Sequence, residues 1–382
     1  MLGSLKVQPL PLVKMTQGLI RHLSDINSFS LNANFVKGSV RVEPVSLMPA
    51  SKYGGVDMVT LLTGTTLIGQ QGSKYVQAML QSSRVPVEVQ VIDPLETDDF
   101  YNSVLRNRSA VHVENVVDAE AKKKSMKLCN DLDLYMFKCR VRSFPGFNCR
   151  FPDVNIRIIA QNNMGVYSDL EYSPVKGVVE AISVSTQEGN EKYLRKAFAT
   201  AVKANRKRVT LIHKSTEWPI TDGAMVSAAK EIHKDYEHCL ELELMNVEDC
   251  IGRLITHPQE FDCIFSSDRY ATMIATMCSG ICGGANLFSA VEIGDFHAVF
   301  KPLQVKLSLT NYPILSPYGI VNTIVDLFDH LGYTECGDAL WEQMLRTMES
   351  GIKTKDFGGE DSGEYVICNI INRLRCRGFQ NN

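Results

Sequence analysis

The chain lacks an excess of charge of either sign, its formal net charge being −3. Nucleic acids and acidic membrane surfaces select a strong basic surplus, so neither is favoured as a partner. It has no Cys-x-x-Cys pair, and its cysteines number eleven. A paired disulfide framework and a zinc ribbon are both disfavoured, and a reducing compartment is expected. No apolar run reaches the roughly 18 residues that a membrane span requires. Internal repeats, coiled-coil heptads and low-complexity tracts are missing as well, and the basic run Lys122 to Lys124 reads as a short solvated face.

What is present is ordinary globular material. With 382 residues, 45% hydrophobic and 22% charged, the chain can bury a large core in one large or two ordinary domains. Its first forty residues carry Lys6, Lys14, Arg21 and Lys37 against a single acid, Asp25, with several serines and scattered leucines. That composition predicts a mitochondrial transit segment over about 1–50. Cys278 and Cys282 stand four apart on one helical face, but no histidine accompanies them, so they are read as core packing and not as metal ligands.

From Met58 an α/β alternation begins. Met58-Val-Thr-Leu-Leu62 predicts a strand, Gly64 to Gly69 a loop, and the stretch from Lys74 a helix. Val87 to Ile92 predicts a second strand, Asp98 to Leu105 a helix. Further strands are expected at Val154 to Ile159, Gly177 to Ser185, Val209 to His213 and Phe261 to Phe265. Helical spacing places Leu194, Ala197, Phe198, Ala201 and Val202 on one face, Met225, Ala229, Ile232 and Tyr236 on another, and predicts a third helix over Arg269 to Ser279. Arg206, Lys207 and Arg208 follow the first of these and are expected to complement its dipole.

Six segments occur in a telling order: Ser51-Lys-Tyr-Gly-Gly55, Leu132-Asp-Leu-Tyr135, Ser143-Phe-Pro-Gly146, Gly177-Val-Val-Glu180, Val209-Thr-Leu-Ile-His-Lys214 and Pro258-Gln-Glu-Phe-Asp262. In this order and spacing they resemble the NAD-dependent isocitrate dehydrogenase family from about Ser51 to the end. The Lys-Tyr-Gly-Gly and Ser-Phe-Pro-Gly segments resemble its regulatory gamma-type subunit. The resemblance implies an α/β β-decarboxylating dehydrogenase fold, distinct from the Gly-x-Gly-x-x-Gly dinucleotide fold. A large domain would come from 56–137 and 284–382, and a smaller central domain with the dimer interface from 138–283. It implies conversion of isocitrate to 2-oxoglutarate in the tricarboxylic acid cycle, NAD and a magnesium or manganese ion as cofactors, the mitochondrial matrix as location, and active sites shared between paired subunits.

Residue by residue, that chemistry is only partly present. Oxidation and decarboxylation of a 2-hydroxy acid need a divalent metal, guanidinium groups for the carboxylates and a proton relay. The positions of two family metal carboxylates hold Thr272 and Thr276, neutral hydroxyls that are poor ligands for hard cations. A third acid survives as Glu248 or Asp249. The family's substrate arginines fall at Cys129, Cys139 and Ala160, none of which offers a carboxylate fork. Arg140 is adjacent to Cys139, but along a strand one residue changes the face. The relay tyrosine and lysine are retained as Tyr167 and Lys214.

The nucleotide loops are altered too. Thr63-Gly-Thr-Thr-Leu-Ile-Gly-Gln70 lacks the family's acid and middle glycine, Phe300 to Leu307 lacks glycines, and Ser316-Pro317 replaces Asn-Pro. Neither NAD nor a metal is therefore expected to bind in this chain. The reading is a noncatalytic or regulatory subunit that docks to a catalytic isocitrate dehydrogenase chain in a hetero-oligomer. Two alternatives stay open: an active NAD-dependent dehydrogenase of another 2-hydroxy acid, and a structural or regulatory protein working outside that complex.

Overall fold

Short β-branched runs alternate with amphipathic stretches from Ser51 onward, and in the computed structural model they form a mixed sheet of eleven strands with helices packed against it. The structure describes residues 51–63, 67–92, 97–113, 126–144, 149–303 and 316–376. The expected transit segment, the Lys122 to Lys124 run, Pro145 and Gly146, and residues 64–66 and 304–307 of the two altered loops lie outside the described residues.

The strands are β1 (Ser51–Tyr53), β2 (Val56–Leu62), β3 (Val87–Ile92), β4 (Ser109–His112), β5 (Met136–Arg142), β6 (Asn155–Gln161), β7 (Gly165–Val175), β8 (Val178–Val184), β9 (Arg208–His213), β10 (Glu241–Asn246), β11 (Cys263–Ser266), β12 (Ser289–Ile293) and β13 (Ala298–Pro302). The helices are α1 (Leu67–Ser83), α2 (Thr97–Asn107), α3 (Gln187–Lys203), α4 (Thr221–His233), α5 (Val247–Thr256), α6 (Asp268–Ile281), α7 (Pro317–Leu331), α8 (Thr334–Glu349) and α9 (Gly363–Cys376).

Across the sheet the order is β3-β2-β4-β13-β12-β5-β6-β11-β9-β10, with β1 as a hairpin arm on β2. From β3 to β13 neighbours run parallel, and so do those from β6 to β10. Between these flanks the β13–β12, β12–β5 and β5–β6 pairs are antiparallel. One parallel flank is built from both ends of the chain. Buried Asp57 at the start of β2 accepts a 2.6 Å hydrogen bond from Tyr333 Oη, which fastens that strand to the α7–α8 junction.

Helix α3 shows how the sequence pattern becomes packing. Thr186 caps it by accepting a hydrogen bond from the Gly189 amide at 3.2 Å, and Tyr193, Leu194, Ala197, Phe198 and Ala201 form its buried stripe. Tyr193 Oη donates to the Ile159 carbonyl at 2.9 Å, satisfying a hydroxyl buried in the same core. Val202, expected on this stripe, is 40% exposed. Tyr236 lies beyond the end of α4, yet still stacks on Phe198 at 5.4 Å between ring centroids. The first helix begins at Leu67 and not at Lys74. Gly69, read as part of a loop, is buried in its first turn, where a glycine costs only about 1 kcal/mol relative to alanine. Cys278 and Cys282 are buried, as expected for core packing.

Strands β7 and β8 form a separate two-stranded ribbon, turning at Gly177 with φ +88°. Leu170, Tyr172, Val175, Val178, Val179 and Ile182 are all exposed on it. An isolated two-stranded ribbon is marginally stable in water, and one carrying this much apolar surface is expected to lie against another surface.

The basic run after α3 does something other than complement the helix dipole. Arg206 Nη1 pairs with Asp262 Oδ1 at 2.7 Å, and Asp262 Oδ2 accepts the backbone amides of Lys207 at 2.7 Å and Arg208 at 3.2 Å. Arg206 Nη1 also donates to the Asn155 carbonyl at 2.9 Å. The cluster locks β9 to the entries of β6 and β11. Burial alone would raise the Asp262 carboxyl, but the Arg206 guanidinium and the two amides outweigh it and hold its pKa below the usual carboxylate value. Because the folded-state pKa is depressed, this stabilisation is complete above the unfolded pKa of about 3.9 and is lost as pH falls through the folded value. Asp262→Asn is therefore expected to lower stability by about 2 kcal/mol at pH 7, with the difference from wild type shrinking below about pH 4 in urea titrations.

Candidate functional site

Parallel strands expose their carboxyl ends together, and side chains that leave those ends converge. The β9–β10 register pairs His213 with Asn246, so Lys214 and the first turn of α5 emerge side by side. Lys214 Nζ pairs with Glu248 Oε1 at 2.5 Å, and Glu217 Oε1 lies 4.0 Å away. The hydrogen bond that Lys214 donates to Glu248 raises the lysine pKa, and the same bond lowers that of Glu248. Glu248 also sits in the first turn of α5, where the helix dipole favours an anion. With Glu248 58% exposed, the pair is solvent-screened and contributes little to folding. It presents a lysine and a carboxylate at the surface.

Beneath this pair is a residue that the sequence reading did not single out. Buried Asp222, in the first turn of α4, accepts the Lys214 amide at 2.8 Å and the Tyr270 hydroxyl at 3.1 Å, both through Oδ2. It thereby fixes the backbone of Lys214 relative to α6. Burial, reinforced by the Asp222 charge, pushes the Tyr270 phenol up to about 12. Arg269 stacks over Trp218 at 4.5 Å, a second tie between α6 and the loop after Lys214. The available signal was a Thr-Asp-Gly sequence at a helix start, eight residues beyond the lysine, a pattern common enough to carry little weight.

Tyr167 lies in β7, and its side chain falls outside the described part of the structure. The strand begins at Gly165 with φ +65°, where a Cβ would stand 2.2 Å from Asp268 Oδ1. Only glycine lets the ribbon leave the sheet so close to the buried Asp268 carboxylate.

Two of the positions that the resemblance assigns to substrate are placed together. Cys139 and Ala160 lie on the same face of β5 and β6, both buried, and α6 packs on that face through Cys278. Thr272 and Thr276 are one helical turn apart on α6, the first exposed and the second half-buried. Arg140 points to the opposite face from Cys139 and cannot stand in for an arginine there. Cys129 is buried, and its thiol donates to Glu292 Oε2 at 3.3 Å, while Glu292 Oε1 is paired with Lys301. Burial, with the Glu292 charge adding to it, pushes the Cys129 thiol well above its ordinary pKa; burial likewise raises that of Cys139. Both are inert as nucleophiles.

These residues do not fit a divalent metal ion. Thr272 and Thr276 offer only neutral hydroxyls, Glu248 is engaged by Lys214, and among the described residues no group of three or more His, Cys, Asp or Glu side chains could hold a metal. Glu248, not Asp249, is the acid that meets Lys214.

The role of Asp222 can be measured directly. Asp222→Ala would remove the acceptor of the half-buried Lys214 amide and of the buried Tyr270 hydroxyl, and it is expected to cost about 2 kcal/mol in urea unfolding, against about 1 kcal/mol for Tyr270→Phe.

Comparison with known proteins matches this architecture. Residues 108–373 match the family model described as isocitrate/isopropylmalate dehydrogenase. The chain is 29% identical to the gamma 1 subunit of mitochondrial NAD isocitrate dehydrogenase of Rattus norvegicus, over 86% of this chain and 87% of that one. It is 26% identical to mitochondrial regulatory subunit 3 of Arabidopsis thaliana, over 86% and 93% respectively. Isocitrate dehydrogenase from Methylococcus capsulatus superposes with a TM-score of 0.79 at 23% identity, covering 84% of this chain and 100% of that one, and so shares the fold. Parallel flanks joined by antiparallel central strands, one flank drawn from both chain ends, and a family match over most of the described residues lead to one conclusion: the chain belongs to the isocitrate/isopropylmalate dehydrogenase family.

Proposed function

We propose that this chain is a noncatalytic subunit of the mitochondrial NAD-dependent isocitrate dehydrogenase, resident in the matrix and assembled with a catalytic chain in a hetero-oligomer. The observation that carries this reading is the contrast between an intact fold and an emptied ligand set. The sheet, its flanking helices and the Asp222 support are complete, while Thr272 and Thr276 cannot ligate a hard cation and Cys129, Cys139 and Ala160 cannot grip carboxylates. A chain selected for folding and pairing, and not for turnover, keeps the first and loses the second.

Two further features support pairing. The β7–β8 ribbon offers apolar side chains to a neighbour, and Lys214 with Glu248 stands exposed at the carboxyl ends of β9 and β10, where it can reach across an interface. On this reading the parallel flank around β6 to β10, together with the ribbon, is the smaller, pairing domain, and the flank drawn from both chain ends is the larger one. The catalytic chain supplies NAD and metal binding, and Lys214 is the group this chain lends to it; Tyr167 is the second retained family position.

Co-expression of residues from about Ser51 onward with a catalytic NAD isocitrate dehydrogenase subunit should yield a single species whose native mass is that of a heterodimer or its multiple. Val179→Asp with Ile182→Asp should release the two chains while leaving each folded. Elution of this chain alone, beside a catalytic subunit that assembles without it, would refute the subunit reading. Purified by itself, the chain should form no NADH from isocitrate with magnesium present.

A further inference from the structure

The face of β5 opposite Cys139 is cationic. Alternate residues Lys138, Arg140 and Arg142 share it, and the antiparallel register sets Arg157 of β6 directly across from Arg140. The strand lies at a seam between two helix layers. Helix α7 packs on β12 and β13 to one side, where Ser289 donates to Asp326 at 2.5 Å, and α3 and α4 pack on β6 and β9 to the other. Lys138, Arg142 and Arg157 are half-buried in this seam, and Arg140 reaches its surface.

Like charges set directly opposite on paired strands are destabilising. Here they are also poorly compensated. Among the described residues, the side chains of Lys138 and Arg157 make no hydrogen bond or ion pair, and the buried Nε of Arg157 has no acceptor. Arg140 has one long bond, 3.3 Å to Asn155 Oδ1, and Arg142 lies over the Trp341 ring at 3.5 Å. Arg206 is already committed to Asp262. The acids facing the seam are Asp326 and Asp329 on α7 and Asp338 on α8, and none forms an ion pair with these four cations. Burial is the largest cause lowering the pKa of all four, the neighbouring cations add to it, and Asp326 and Asp329 act in the other direction.

We propose that this seam binds a small multivalent oxyanion, a phosphate or polycarboxylate, gripped by Arg140 and Arg157 with Lys138 and Arg142 to either side. Two guanidinium forks facing each other match such groups bidentately. Cations on one face of a strand stand about 7 Å apart, so a ligand with charge at both ends meets more than one of them. The seam lies on the other side of the sheet from Cys139 and Ala160, and the proposal is independent of the subunit reading.

Calorimetric titration of the full chain at low ionic strength, with inorganic pyrophosphate and with tricarballylate in separate arms, tests it. Saturable binding at one site is expected in at least one arm. Pyrophosphate alone would identify a phosphate ligand, and tricarballylate alone a carboxylate one. Arg157→Met and, separately, surface-facing Arg140→Gln should each weaken that binding by at least about 10-fold, whereas Thr272→Ala should leave it unchanged. In anion-free buffer Arg157→Met should also raise the melting temperature by a few degrees, since it relieves repulsion; a purely structural arginine would lower it. Absence of saturable binding in both arms, or equal affinity in wild type and Arg140→Gln, would overturn the proposal, and Arg140→Gln decides the matter should Arg157→Met fail to fold.

Discussion

Strand β5 is hydrogen-bonded to β12 on one side and β6 on the other, and both parallel flanks of the sheet hang from these two antiparallel ladders. Their register is the constraint on which every site in the molecule depends. It puts Phe137, Cys139 and Val141 on one face, with Ala160 beside them, and Lys138, Arg140 and Arg142 on the other. A slip of one residue would exchange the two sets, placing three cations against the apolar α6 face. The buried Cys139, Val141 and Ile158 under α6 prevent that exchange, because each contributes on the order of 1.5 to 3 kcal/mol only when it is inside.

The ends of β9 and β10 show how one side chain can be held in place without help from the helix positions near it. Lys214 depends on Asp222, which depends on the burial of α4 against α3 and on the Tyr270 hydroxyl from α6. None of these supports touches Thr272 or Thr276. The position of Lys214 is therefore independent of which residues stand at 272 and 276. On β6, Ala160 is paired with Phe137 of β5 on one side and Ser266 of β11 on the other.

Much of the fold was legible in the chain. Alternating β-branched runs marked β2, β3, β6, β8, β9 and β11, and 3.6-residue spacing marked α2, α3, α4 and α6; apart from β8, whose residues are exposed or half-buried, each of these buries at least one face. Strand β5 gave no such signal, since Lys138, Arg140 and Arg142 put charge where a central strand ordinarily carries apolar side chains. Strand β7 offers no burial pattern to read from Leu170 to Val175, where its residues are all exposed. Interest in Thr272, Thr276, Cys129, Cys139 and Ala160 came from what the family resemblance implies, and it says nothing of the partners of those residues. That Cys129 bonds to Glu292, 163 positions later, or that Arg206 clamps Asp262 and not its own helix, follows from strand crossing that local sequence does not encode.

The β7–β8 ribbon has a consequence for the protein's economy in the cell. Its two strands leave apolar side chains in water and depend for order on whatever lies against them. A copy without a companion keeps an open strand pair, the kind of surface that self-associates or is captured by proteases. If a companion chain covers the ribbon, surplus copies are the ones expected to be short-lived, and the abundance of the chain would follow that of its companion.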